Sequence, residues 1–139
     1  MPSSTTSSES PARPRVLLVD DNPAMLSRAA RVLASACQIV GTAHDGVGAL
    51  AAAASLMPDV IVLDISMPGM SGFEVAAELR ERRSTAAVVF LTVHFEEEIL
   101  DAAEAAGGIG YVVKPRLASD LTTAVLSARD HRRFVSVLR

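Results

Sequence analysis

Polar residues follow the short apolar runs of this 139-residue chain at the points where the runs end. They are Asp20 and Asp21 after Val16–Val19, Asp64 after Val60–Leu63, Thr92 after Ala87–Leu91, and Lys114 after Gly110–Val113. Each residue alone has an ordinary explanation, since Asp and Thr commonly cap helices or form turns and a lone Lys is commonly solvated. Their joint placement after successive apolar runs indicates a shared site.

Three carboxylates in one cleft repel each other, and at separations of a few ångströms the cost is on the order of kilocalories per mole unless a cation lies between them. Oxygen ligands with no His or Cys nearby favour Mg²⁺ or Mn²⁺ over zinc, and Mg²⁺ keeps positions free for water and phosphate oxygens. The set therefore predicts phosphoryl transfer to Asp64 as a carboxylate nucleophile, with Lys114 and Thr92 contacting the transferred group. Of the 13 basic residues only Lys114 is a lysine, and a compact ammonium suits a phosphate as a point charge.

The elements that would position this site alternate from Arg15 onward. The predicted strands are Val16–Val19, Ile39–Ala43, Val60–Leu63, Ala87–Leu91 and Gly110–Val113, and the predicted helices are Pro23–Ala36, Val47–Met57, Phe73–Arg80, Glu96–Ala106 and Leu117–Arg129. The helix predictions are based on apolar residues spaced at i, i+3, i+4 and i+7. The predicted strands are nearly continuous runs of Val, Ile and Leu, which are typical of strands buried on both faces. Five βα units predict a doubly wound α/β domain whose parallel strands gather the polar residues at their carboxyl edge.

Composition sets the class of protein. With 50% hydrophobic and 21% charged residues the chain suits one globular domain, and no apolar run is long enough to span a bilayer. The single cysteine excludes an intramolecular disulfide and the N-terminus does not resemble a signal peptide, so we expect a cytoplasmic protein with no membrane partner. A net charge of −3 with scattered basic residues predicts no direct nucleic-acid contact by this domain.

The chain divides into three parts. Residues 1–14 are rich in Ser, Thr and Pro and are expected to be a disordered lead-in. Residues 15–130 carry the alternating pattern and form the predicted domain. Residues 131–139 are expected to be a C-terminal tail or the start of a linker.

Four stretches of the sequence resemble the receiver domain of bacterial two-component response regulators. They are Val16–Pro23, Asp59–Phe73, Val89–Thr92 and Gly108–Pro115. The resemblance covers about Arg15 to Arg129 and is nearest to receivers of NarL- and LuxR-type regulators. It implies a CheY-like fold with five strands in the order 2-1-3-4-5 and five helices. It also implies phosphorylation by a sensor histidine kinase, homodimerisation on phosphorylation, and no catalysis beyond the domain's own phosphorylation and dephosphorylation.

The resemblance assigns roles at the acidic cluster. Asp64 would be the phosphoacceptor. Asp21 and Asp64 would bind Mg²⁺ directly together with the main-chain carbonyl of Ser66, and Asp20 would act through a metal-bound water.

The resemblance also assigns roles around the phosphoryl group. Thr92 and Lys114 would contact it, and Thr92 and Tyr111 would move together as the activation switch. Ser66 and His94, two residues beyond Asp64 and Thr92, occupy positions that tune the phosphoryl lifetime in this family. The face of helix 4, strand 5 and helix 5, with Tyr111, Ile99 and Leu117, would change on phosphorylation. The resemblance also implies a cis Lys114–Pro115 peptide, as is usual for receivers.

Other functions fit the residues less well. A flavodoxin-like electron carrier needs a phosphate-cradling loop after strand 1, where Asp20 and Asp21 would repel a flavin phosphate. A haloacid-dehalogenase-type phosphatase uses Asp-x-Asp, whereas Ser66 stands two residues after Asp64. The alternative that stays open is a stand-alone or phosphate-independent receiver-like binding module. The main hypothesis is control of transcription through a LuxR-type DNA-binding domain not contained in these residues.

Overall fold

The computed structural model of the protein describes residues 13–93 and 96–136. The predictions for residues 1–12 of the lead-in, for His94 and for residues 137–139 lie outside the described residues. The described chain alternates strands and helices. The strands are β1 (Arg15–Val19), β2 (Gln38–Ala43), β3 (Val60–Asp64), β4 (Ala87–Thr92), β5 (Gly110–Val113) and β6 (Phe134–Val135). The helices are α1 (Pro23–Leu33), α2 (Gly46–Leu56), α3 (Gly72–Glu81), α4 (Glu97–Ala105) and α5 (Leu117–Arg129), with a 3₁₀ turn at Lys114–Arg116.

All strand pairs in the sheet are parallel, and the order is β2-β1-β3-β4-β5-β6. The predicted α/β class and the order of the first five strands are confirmed, but the predicted count of five strands is wrong. The sixth strand forms because Phe134 N donates to Ile109 O at 3.1 Å and Ser136 N donates to Tyr111 O at 2.8 Å. Two residues are too short for an alternating pattern to be recognised. The strand lies within 131–139, the segment expected to be a tail or linker.

The sheet is buried on both faces, as its Val, Ile and Leu runs predict. In β3, Ile61 and Leu63 pack toward α2 and α3, while Val60 and Val62 pack toward α1 and α5. Every residue of β3 is buried, as expected of a central strand in a doubly wound sheet. The strand that ends in Asp64 is therefore packed against helices on both faces.

Two other expectations are addressed by the described residues. The Lys114–Pro115 peptide is trans, since the described chain contains no cis peptide bond, so the cis geometry is wrong here. Trans is the lower-energy form for most bonds that precede proline. None of the described helices combines the length and apolar character needed to cross a membrane.

Candidate functional site

Three carboxylates meet at the carboxyl edge of the sheet. Asp64 is the last residue of β3, and Asp20 and Asp21 follow β1, the neighbouring strand. One oxygen from each carboxylate lies within 4.8 Å of the others. Asp20 and Asp64 are only 1% and 2% exposed, whereas Asp21 is exposed. The cluster therefore has a buried interior and one carboxylate open to solvent.

The turn after β1 is built to aim Asp20 inward. Asp20 N donates to Ala43 O at 3.1 Å, and Asp20 Oδ1 accepts from Asn22 N at 2.9 Å. Asn22 in turn caps α1, because its side chain accepts from Ala24 N at 2.9 Å and Pro23 occupies the first helical position. The local sequence thus ends the strand, starts the helix and leaves the second oxygen of Asp20 facing the cluster.

The backbone after β3 is also fixed by hydrogen bonds. Ile65 N donates to Leu91 O at 3.0 Å, and Gly72 N donates to Ile65 O at 2.8 Å. A Cβ on Gly72 would lie 2.4 Å from Asp64 O, so α3 can begin this close to Asp64 only with a glycine there. Sequence reasoning assigned no role to Gly72. The sequence does contain a signal for this role, because Gly72 directly follows Ser71 and Ser71 is the N-cap of α3.

Lys114 lies between the two buried carboxylates. Its Nζ is 3.1 Å from Asp20 Oδ2 and 3.2 Å from Asp64 Oδ1, and its side chain is 15% exposed. The approach to Asp20 Oδ2 has ion-pair distance without the direction of a hydrogen bond. That oxygen is the single buried side-chain polar atom of the described residues without a hydrogen-bond partner. One ammonium therefore neutralises part of the charge of the cluster, and Asp20 Oδ2 is contacted through this ion pair.

The ionisation of Asp64 and Lys114 reflects this environment. Burial and the neighbouring Asp20 raise the pKa of Asp64 to about 6, although Lys114 and the Ser66 N–H oppose the rise. Burial acts to lower the pKa of Lys114, but Asp20 and Asp64 outweigh it and the pKa is raised. At neutral pH Lys114 is therefore a cation and Asp64 is predominantly a carboxylate.

The raised pKa of Asp64 predicts a pH-dependent effect of Asp64→Asn on stability without divalent cations. Asp64 has its ordinary pKa of 3.8 in the unfolded protein and a pKa of about 6 in the folded protein. Between pH 3.8 and pH 6 the folded protein therefore binds more protons than the unfolded protein, and its stability falls as the pH rises. At pH 7 the asparagine variant should be more stable by roughly 2–3 kcal/mol, and the gain should shrink toward pH 4.

Urea unfolding of metal-free protein at these two pH values measures the difference. Asp101→Asn, which changes an exposed carboxylate on α4, serves as the control and should leave the stability nearly unchanged. A variant at position 64 that is less stable than the parent protein at pH 7 would contradict the assignment of an ionised, unfavourably buried carboxylate.

Two predicted site residues, Ser66 and Thr92, make few contacts. Ser66 is exposed, and its N–H donates to Asp64 Oδ1 at 3.3 Å. Thr92 ends β4 beside Val113 of β5 and is partly buried. Its side chain makes no hydrogen bond to another described residue, so the structure brings Thr92 to the same edge without joining it to the carboxylates.

Tyr111 is turned into the protein. Its ring stacks on Phe90 with centroids 6.4 Å apart, its hydroxyl donates to Gly108 O, and the guanidinium of Arg133 lies 5.7 Å above it. Burial and nearby Glu104 raise the pKa of Tyr111 to about 12, against the opposing effect of Arg133. The tyrosine is therefore a neutral, covered side chain in this state.

The predicted output face is correspondingly less open than expected. Leu117 is fully buried among the residues of the α1 and α5 core, and Tyr111 is 5% exposed, whereas Ile99 is half-buried. The prediction that Leu117 lies on the output surface is therefore wrong. The apolar period of α5 locates a buried stripe but does not tell which end of it reaches solvent.

Sequence reasoning also missed a polar cluster beside Lys114. Asp120, 7% exposed, accepts from Arg116 Nε at 2.9 Å and from Ser136 Oγ at 2.7 Å. The hydrogen bonds from Arg116 lower the pKa of Asp120 although burial opposes them, with Ser136 and Ser119 contributing. The i, i+4 spacing of Arg116 and Asp120 was a weak signal for this pair, but nothing pointed to Ser136.

Comparison with known proteins agrees with this geometry. The model of the response regulator receiver domain family matches residues 16–126. The positive alginate biosynthesis regulatory protein of Pseudomonas aeruginosa is 41% identical, over 85% of this chain and 48% of its own length. The probable transcriptional regulatory protein NarL of Mycobacterium tuberculosis is 33% identical, over 94% of this chain and 61% of its own length.

A solved structure shares this fold over most of the chain. The receiver domain of the putative response regulator NarL from Mycobacterium tuberculosis superimposes with a TM-score of 0.83 at 33% identity, covering 88% of this chain and 100% of that one. The chain thus spans about half to three fifths of the length of these two curated relatives and all of the separately solved domain.

Proposed function

The chain belongs to the response regulator receiver domain family, and from that premise we propose that it accepts a phosphoryl group on Asp64 from a sensor histidine kinase. The observation that carries this proposal is the placement of Asp64 within 4.8 Å of two further carboxylates and 3.2 Å from the ammonium of Lys114. A carboxylate kept ionised beside a fixed cation is suited to attack a phosphoryl group.

The proposed step is an in-line displacement. A carboxylate oxygen of Asp64 attacks phosphorus and forms a new P–O bond while the P–N bond to the kinase histidine breaks, and the electron pair leaves with the imidazole. With acetyl phosphate the broken bond is the P–O bond to acetate. Lys114 Nζ, already 3.2 Å from Asp64 Oδ1, offsets the negative charge brought by the phosphoryl oxygens.

The donor set fits a hard divalent cation. The cluster contains only oxygen donors, and the buried Asp20 Oδ2 has no hydrogen-bond partner. We assign direct binding of Mg²⁺, or Mn²⁺, to Asp21, Asp64 and the main-chain carbonyl of Ser66, and an indirect contact to Asp20. A bound divalent cation would supply charge neutralisation and orient phosphoryl oxygens. The exposure of Asp21 gives the ion a route from solvent.

The activation switch and the output follow from the family. We assign contact with the phosphoryl group to Thr92 and Lys114, the switch to Thr92 and Tyr111, and tuning of the phosphoryl lifetime to Ser66 and His94. The relatives are named as regulators of transcription or of alginate biosynthesis, and this chain covers only part of them. Control of transcription through a LuxR-type DNA-binding domain, with homodimerisation on phosphorylation, is therefore part of the proposal. This domain itself would not touch nucleic acid.

Intact-mass analysis after incubation with acetyl phosphate tests the proposal. The chain contains no Trp, so mass is a more direct readout than fluorescence. We expect a gain of one phosphoryl group with Mg²⁺ and no gain after chelation with EDTA. The absence of any gain with Mg²⁺ or Mn²⁺ would favour a phosphate-independent binding module.

A further inference from the structure

The C-terminal strand returns the chain to the edge of the sheet that carries the candidate site. Helix α5 runs antiparallel to the strands, so its end lies at the opposite edge. A turn at His131, whose φ is 60°, reverses the chain, and β6 then runs parallel to β5. Ser136, directly after β6, therefore lies beside the carboxyl end of β5, where Lys114 begins the 3₁₀ turn.

Ser136 is bound on three sides. It is 1% exposed, and its N–H donates to Tyr111 O at 2.8 Å. Its hydroxyl accepts from Val113 N at 3.3 Å and donates to Asp120 Oδ2 at 2.7 Å. A hydroxyl has one donor and two acceptor positions, so both uses are compatible. Val113 is the residue immediately before Lys114.

Asp120 binds a side chain on the other side of Lys114. Its carboxylate accepts from Arg116 Nε at 2.9 Å and from Arg116 Nη2 at 3.3 Å. Arg116 is two residues after Lys114. The backbone before Lys114 is thus fixed by the bond from Val113 N to the Ser136 hydroxyl, while Asp120 holds the guanidinium of Arg116, and the bond between Ser136 and Asp120 links these two contacts.

We propose that Ser136 and Asp120 are positioning residues for Lys114, and that docking of β6 through them places the ammonium between Asp20 and Asp64. The placement itself is independent of the proposed function, whereas its effect on phosphorylation rests on that function. Because the two events share one structural element, docking of β6 and acceptance of a phosphoryl group should favour each other.

The single lysine provides a direct readout. In protein labelled with [¹³Cε]lysine, one side-chain NMR signal reports the surroundings of Lys114. We expect Ser136→Ala to shift this signal. It should also slow phosphorylation by acetyl phosphate about five- to tenfold, which is the effect of losing one hydrogen bond. The affinity for Mg²⁺ should change by less than about twofold. Asp120→Asn, which keeps the size of the side chain, should act in the same direction and is decisive if the alanine variant does not fold.

The matched control is Thr123→Ala. Thr123 also lies on α5, but it is exposed and its hydroxyl makes no hydrogen bond to another described residue. This variant should leave the lysine signal and the phosphorylation rate unchanged. A lysine signal in folded Ser136→Ala that superimposes on that of the parent protein would overturn the proposal. So would a parallel loss of Mg²⁺ affinity and rate, because that pattern indicates a general loss of structure.

The two proposals fail in different ways. If the parent protein accepts no phosphoryl group, the proposed function fails, and the lysine signal alone decides whether Ser136 positions Lys114. If the parent protein is phosphorylated and Ser136→Ala is phosphorylated at the same rate, the function stands and the positioning role is rejected.

Discussion

Asp64→Asn is expected to abolish the Mg²⁺-dependent gain of one phosphoryl group from acetyl phosphate. An amide oxygen is a poor nucleophile and carries no negative charge, so the attack on phosphorus loses its electron-pair donor. The substitution keeps the size of the side chain, and the backbone around it is held by hydrogen bonds of Ile65 and Gly72 that do not involve the carboxylate. Loss of phosphorylation would therefore report chemistry rather than misfolding.

The control for this prediction is Asp101→Asn, which removes a carboxylate from the exposed surface of α4. That variant should gain the phosphoryl group as the parent protein does. Retention of the full mass gain by Asp64→Asn would contradict the account and would direct attention to Asp20 or Asp21 as the acceptor.

Lys114→Met is expected to reduce both the rate of phosphorylation and the stability of the metal-free protein. The ammonium is the sole side-chain cation within ion-pair distance of Asp20 and Asp64 in the described chain, and both carboxylates are nearly fully buried. Removing it should slow phosphorylation by about 10²–10³-fold, as removal of one charge-stabilising donor does in other active sites. It should also destabilise the protein by roughly 3 kcal/mol, because two buried carboxylates then lack a cation.

Two further measurements separate the contributions of charge and geometry at position 114. Mg²⁺ should restore part of the stability that Lys114→Met loses, since a divalent cation neutralises the same carboxylates. Lys114→Arg keeps the charge but replaces a compact ammonium with a planar guanidinium, so it should retain more stability while remaining slow in phosphorylation. Urea unfolding and the time course of intact mass measure these effects. A Lys114→Met variant phosphorylated at the rate of the parent protein would refute the proposed role of the ammonium.

The residues of the acidic cluster could be located from the sequence because they depend on local rules. Each apolar run of Val, Ile and Leu marks a buried parallel strand, and residues that follow such strands meet at one edge of the sheet. Asp20, Asp64 and Lys114 lie together in the structure for that reason. Their distances, and the contact of one lysine with two carboxylates, depend on tertiary packing and could not be predicted.

The sixth strand and the Ser136 contacts could not be predicted for a related reason. Phe134–Val135 has too few residues to show a period, and β6 is stabilised by backbone bonds to β5 and by the buried hydroxyl of Ser136. The same strand segment brings Arg133 over the ring of Tyr111, which explains why the expected output face is partly covered. Sequence periodicity shows that a face is apolar, but it does not show which segment covers it.

Direct identification of the phosphorylated residue tests the central claim. Borohydride reduces an aspartyl phosphate to homoserine: a first hydride adds to the acyl carbon and phosphate leaves, and a second hydride and a proton convert the resulting aldehyde to the alcohol. Treatment of the acetyl-phosphate-labelled protein therefore marks the acceptor permanently. Tandem mass spectrometry of its peptides should find homoserine at position 64 in the Mg²⁺ sample and none in the chelated sample. Homoserine at Asp20 or Asp21, or at no aspartate despite a gain in mass, would contradict the assignment of Asp64 as the phosphoacceptor.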